Sequence, residues 1–96
     1  MSRAVVHPLA ILRRMHEVGI AASVLDAVRA QVAQRPGARA TAVGVRIGTL
    51  AGVDSESLQF GFDALVKDSD LEPLRLEIEP ATADELDLIW VEVEDA

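Results

Sequence analysis

The residues best equipped for chemistry are Met15-His16-Glu17, set immediately ahead of Val18-Gly19-Ile20-Ala21-Ala22-Ser23-Val24-Leu25. An imidazole and a carboxylate thus stand side by side at the head of an apolar, helix-forming run. Imidazole is a common ligand for divalent transition metals, and a neighbouring carboxylate can add an oxygen donor. A lone histidine on a helix is more often a surface or packing residue. The sequence holds one other histidine, His7. If residues 8–34 form one helix, positions 7 and 16 fall about half a turn apart, so both reach one ion only if the chain folds back before Pro8 or a dimer joins them.

Other chemistries are poorly supplied. The chain has no cysteine, which removes disulfides, thiolate metal sites and cysteine nucleophiles. No Ser/His/Asp constellation and no phosphate-binding glycine loop is present, so enzyme activity is not expected. Glu77, Glu79, Glu92 and Glu94 alternate along strand-like segments and read as solvated outer-face residues rather than a carboxylate metal site.

Ninety-six residues, half of them hydrophobic, suit one small folded domain and not a disordered chain. Aromatic residues are limited to Phe60, Phe62 and Trp90, so the core must be aliphatic. Charge is divided sharply. Residues 1–50 carry seven basic and two acidic side chains, whereas residues 51–96 carry two basic and fourteen acidic. No basic patch with interleaved aromatics exists, which argues against nucleic acid as a partner. The acidic half reads as a solubilising surface, with a docking face for a basic partner as the sharper alternative. No apolar run approaches the ~20 residues of a membrane span, and no signal-peptide pattern appears, so a cytoplasmic location is expected.

The elements that must position Met15 to Glu17 follow from periodicity. In residues 17–34, Ile20, Val24, Val28 and Val32 recur every four residues with Leu25 beside them, a helical stripe ended by Arg35-Pro36-Gly37. Residues 1–14 leave two readings open. Val5-Val6 can form an edge strand ended by Pro8, or Pro8 can open a long helix whose stripe is Ile11, Met15, Val18, Ala22 and Leu25.

Residues 40–50 alternate as a strand, with Val43, Val45 and Ile47 on one face. Ala42, Gly44, Arg46 and Gly48 take the other, and the glycines permit close backbone approach. Asp54 is a good N-cap for a helix over residues 55–67, with Leu58, Phe62, Leu65 and Val66 as its buried stripe. Residues 74–79 form a second strand. In residues 86–94, Leu86, Leu88 and Trp90 share one parity while Ile89, Val91 and Val93 share the other. Either both faces are covered or a bulge changes parity near Ile89.

The resulting fold is α+β in the order α-β-α-β-β, a three-stranded mixed sheet with two helices on one face. The strand-helix-strand crossover makes the first two strands parallel, and the short link at residues 80–85 turns the third antiparallel. Residues 1–14 read as an N-terminal extension and residues 15–96 as the domain.

At this level the chain resembles the HypA/HybF nickel-incorporation proteins, which mature [NiFe]-hydrogenases and sometimes urease. The likeness begins with Met15-His16-Glu17 and Ile20 to Leu25. It runs on through Val45-Arg46-Ile47-Gly48-Thr49-Leu50-Ala51-Gly52-Val53-Asp54, most specifically from Arg46 to Asp54. It continues through Ser57-Leu58-Gln59-Phe60-Gly61-Phe62 and Leu76-Glu77-Ile78-Glu79 to the Glu85–Glu94 segment. The resemblance implies a nickel metallochaperone in which the terminal amine, the histidine imidazole and the next backbone amides hold Ni²⁺, naming Met15, His16 and Glu17. It also implies contact with a nickel-maturation GTPase and a hydrogenase large subunit.

Two departures qualify what is implied. Met15 is internal here, so its nitrogen is an amide unless translation begins at Met15, and nickel binding is conditional on that start. The family's zinc domain, with paired Cys-x-x-Cys motifs between the last two strands, is replaced by Pro80-Ala81-Thr82-Ala83-Asp84, so no zinc is expected. The alternative is a metal-free scaffold or adaptor of a hydrogenase system. Its apolar extension (Val5, Val6, Leu9, Ile11, Leu12) would pack on a partner or build a homo-oligomer.

Overall fold

The computed structural model describes residues 2–7, 10–11 and 17–95. Its elements are β1 (Ser2–Val6), β2 (Ala10–Ile11), α1 (Glu17–Ala33), β3 (Arg39–Gly48), α2 (Ser55–Val66), β4 (Arg75–Ala81) and β5 (Leu86–Asp95). The α+β class and the helix and strand positions within residues 17–95 agree with the periodicities.

The sheet is larger than three strands. Its order is β1-β5-β3-β4, with β2 also pairing with β5. Residues 2–6 run antiparallel to residues 95–91, and Ala10 and Ile11 pair with Leu88 and Asp87. The edge-strand reading of Val5-Val6 therefore holds, and a single helix from Pro8 does not. The apolar stripe proposed for that helix is not the buried one, since Val18 is 59% exposed. Ile20, Ala21, Val24, Leu25 and Val28 are the residues that α1 buries.

β3 is central, parallel to β4 on one side and antiparallel to β5 on the other. The link after β4 is thus no hairpin. It passes over the end of β3, where Gly48 N–H donates to Glu85 O at 2.8 Å and Leu50 N–H to Ala83 O at 2.8 Å. A Cβ on Gly48 would lie 2.0 Å from Ala83 O, so only glycine lets the link cross there. Pro80 near the end of β4 suits a sheet edge, because proline donates no ladder hydrogen bond.

Two bulges set which side chains face the helices. The β3–β5 register shifts between Gly44/Trp90 and Val45/Leu88, which leaves Ile89 as the extra residue. Leu86 and Leu88 before the bulge and Val91 and Val93 after it can then all face inward and be buried. A second shift, between Ala40 and Ala42, puts both Ala40 and Val43 in the core around Thr41.

The core joins these residues to Ile20, Val24 and Val28 of α1 and to Leu58, Phe62 and Val66 of α2. Leu65 departs from the expected stripe, being 39% exposed. The opposite sheet face carries charge. Arg75 pairs with Glu77 at 2.7 Å, Arg46 with Glu79 at 2.9 Å, and Arg3 reaches Glu92 and Glu94 at 3.7 and 3.6 Å. The pairs of Glu77 and Glu79 are exposed and contribute little each, as the solvated reading expects, whereas Glu92 and Glu94 depart from it, their side chains being only 24% and 12% exposed.

Candidate metal-handling site

The site is built where α1 begins beside the start of α2. Asp54 caps α2. Its Oδ1 accepts hydrogen bonds from the Glu56 and Ser57 amides at 3.0 and 3.3 Å, and its Oδ2 accepts from the Ser57 hydroxyl at 3.1 Å. The Ser57 amide and hydroxyl together hold the Asp54 carboxyl below the ordinary aspartate range, partly opposed by desolvation. An ionised carboxylate at this end also meets the positive pole of the helix.

Glu17, the first residue of α1, is half-buried against this cap. Its Oε2 accepts a hydrogen bond from the Asp54 amide at 3.3 Å. Of the three residues singled out for metal, Glu17 is therefore placed at the junction of the two helices. Met15 and His16 lie outside the described residues. His7 lies at the end of β1, where its Nδ1–H donates to Ile89 O at 3.1 Å, the carbonyl of the bulged residue. Among the described residues no group of three or more His, Asp or Glu side chains is arranged to hold a metal ion. Glu17 can offer one carboxylate.

Beside Glu17 a groove of ≈ 640 Å³ runs along α2. Val18, Phe60, Gly61, Ala64 and Leu65 supply its apolar surface, and Glu17, Asp54, Glu56 and Ser57 its polar end. Periodicity missed this feature because Leu65 was assigned to the core. The signal was present in Phe60, which stands two residues from Phe62 and hence about 200° around the helix from it.

Comparison with known proteins settles the family. A family model described as hydrogenase/urease nickel incorporation, metallochaperone, hypA matches residues 15–85. The chain belongs to the HypA family. A hydrogenase maturation factor HypA of Pelodictyon phaeoclathratiforme is 46% identical over 55 residues, covering 57% of this chain and 47% of that protein. One from Roseiflexus sp. is 45% identical over 65 residues, covering 68% and 53%. One from Chlorobaculum parvum is 39% identical over 69 residues, covering 72% and 61%. The chain thus spans about half the length of the relatives it matches. No solved structure matches it. The HypA match begins at Met15, so β1 and β2 precede it, and the helix-junction site lies wholly within it.

Proposed function

We propose that this HypA-family chain is a nickel carrier that takes up Ni²⁺ at Met15, His16 and Glu17 and passes it on through protein contacts during [NiFe]-hydrogenase maturation. The observation that carries the reading is the start of the family match at Met15, directly ahead of a helix whose first carboxylate is held at the α1–α2 junction. Ni²⁺ favours compact nitrogen-rich coordination, which an amine, an imidazole and a backbone amide in succession can supply. The chain's own residues bind and release the ion and perform no bond-breaking chemistry. With no cysteine in the sequence, the carrier works without a thiolate zinc site. A nickel-maturation GTPase and a hydrogenase large subunit are the partners this reading names, in the cytoplasm; no helix among the described residues is long and apolar enough to cross a membrane.

A metal-free adaptor is the second reading. It is favoured by β1 and β2, which pair with β5 and so build residues ahead of Met15 into the sheet; in this sequence the Met15 nitrogen is an internal peptide amide. A peptide nitrogen has no free lone pair for the metal unless it is deprotonated, which metal binding must then drive.

Nickel titration by calorimetry separates the two. Chains starting at Met1 and at Met15 are compared, each with and without His16→Ala. The carrier reading expects binding that His16→Ala abolishes, stronger in the chain starting at Met15. No His16-dependent binding in either chain would end the carrier reading.

A further inference from the structure

Single exposed apolar residues are ordinary on a protein surface; several converging on one concavity are not. Val18 is 59% exposed, Phe60 78% and Leu65 39%, and all three line the groove beside Glu17. The groove follows α2 for its whole useful length. Glu56, Phe60 and Ala64 form one row at spacings of four, and Ser57, Gly61 and Leu65 form the next. From Ser57 to Leu65 the helix rises about 12 Å, or a little over two turns. Gly61 and Ala64 keep the floor low, while Phe60 and Leu65 raise its walls. A Cβ at Gly61 would lie 3.6 Å from Val18 Cγ2, in ordinary contact, so α1 comes close to α2 at this point of the groove.

Among the described residues the polar end of the groove has one sign: Glu17, Asp54 and Glu56 line it, and no lysine or arginine does. This selects among occupants. A second copy would bring its own acidic end and a net charge of −7, which disfavours self-association through this surface. An amphipathic helix with apolar anchors one turn apart and lysine or arginine beside them matches both the rows and the charge.

We infer that the α1–α2 groove is a docking site for a basic amphipathic helix of a partner protein, with Phe60 and Leu65 receiving its apolar anchors and Glu17, Asp54 and Glu56 its cations. The inference goes beyond the nickel reading and stands without it, because no ion takes part in the contact. If both hold, a partner docked here meets Glu17, the one proposed nickel residue that lines the groove.

The test uses the full chain with chelator present. A fluorescent helical peptide of leucine and lysine is titrated by anisotropy, with a leucine–glutamate peptide as its counterpart. Binding of the lysine peptide alone is expected, weakened about tenfold by Phe60→Ala, an exposed truncation that leaves the core intact. Glu56→Lys is expected to weaken it as well, whereas Glu77→Lys, the same charge change on the far face of the sheet, leaves it unchanged. Absence of binding, or equal effects of Glu56→Lys and Glu77→Lys, overturns the proposal. So does binding seen only after residues 1–14 are removed, which would assign the groove to the chain itself. A dimer in sedimentation that Phe60→Ala dissociates would assign it to a second copy and overturn it too. Because nickel is withheld, failure here leaves the calorimetric test of the carrier reading untouched.

Discussion

The Glu17 carboxylate accepts the backbone N–H of Asp54 at 3.3 Å, tying the first residue of α1 to the cap of α2. One junction thus holds the carboxylate nearest the candidate nickel residues, the helix cap and the acidic end of the groove. The bond is long and exposed, so its effect is on position more than on stability. Glu17→Ala should cost less than about 1 kcal/mol in urea unfolding, the scale of one net hydrogen bond. Under the carrier reading the same change should weaken nickel binding in calorimetry, and Glu17→Gln, which keeps the acceptor but not the charge, should weaken it to a similar degree.

Three glycines should respond to alanine in three different ways. At Gly44 the new Cβ would lie 2.2 Å from the indole of Trp90, a half-buried side chain that can shift, and a loss of about 1–3 kcal/mol is expected. Gly48→Ala meets the Ala83 carbonyl of the crossing link and should cost more, because backbone must move. Gly61→Ala meets only ordinary van der Waals contact and should gain up to about 1 kcal/mol of helix stability. Chemical denaturation ranks the three, and equal losses at Gly48 and Gly61 would contradict the crossing geometry.

Acid should weaken the fold through two capped or paired carboxylates. Asp70 is held below the ordinary aspartate range chiefly by its hydrogen bond from Arg29, whose Nη2 lies 2.9 Å from Oδ1, and Asp54 by the Ser57 donors. A carboxyl whose value is lower folded than unfolded favours the folded state above about pH 4. That stabilisation is lost as pH falls through the folded value. Melting temperature measured between neutral and strongly acid pH should fall less steeply in Asp70→Asn than in the parent, and 1 M salt should shrink the difference because the pair is exposed.

Removing residues 1–14 should uncover one edge of β5. Val6 and Ala4 pair with Val91 and Val93, whose side chains are fully buried, and both pack on the core. An open strand edge next to such residues invites pairing with another chain. The chain starting at Met15 is expected to melt at least about 5 °C lower or to dimerise with concentration. Calorimetric scans and sedimentation check this; an unchanged monomer would show that β1 contributes nothing to the sheet.

What the sequence by itself determined is what repeats locally. Four-residue spacing of Ile20, Val24 and Val28 and of Leu58, Phe62 and Val66 locates two helices, and Asp54 marks where the second begins. Alternation locates β3, β4 and β5, and the parity change in residues 86–93 leaves two readings, a strand covered on both faces or a bulge near Ile89, of which the register shows the bulge. Such patterns are legible because each side chain's burial depends on its own turn or pleat.

Only the tertiary structure decided which strands are neighbours. The link after β4 is short enough for a hairpin, yet it crosses β3 because Gly48 leaves room and β5, bulged at Ile89, fits against β3, bulged at Thr41. Likewise, β1 and β2 find their place through hydrogen bonds to residues more than seventy positions away, which no local spacing encodes. Whether Phe60 and Leu65 were core or surface depended on where α1 lay across α2. That packing turned two apolar residues and three carboxylates from distant segments into one groove beside Glu17.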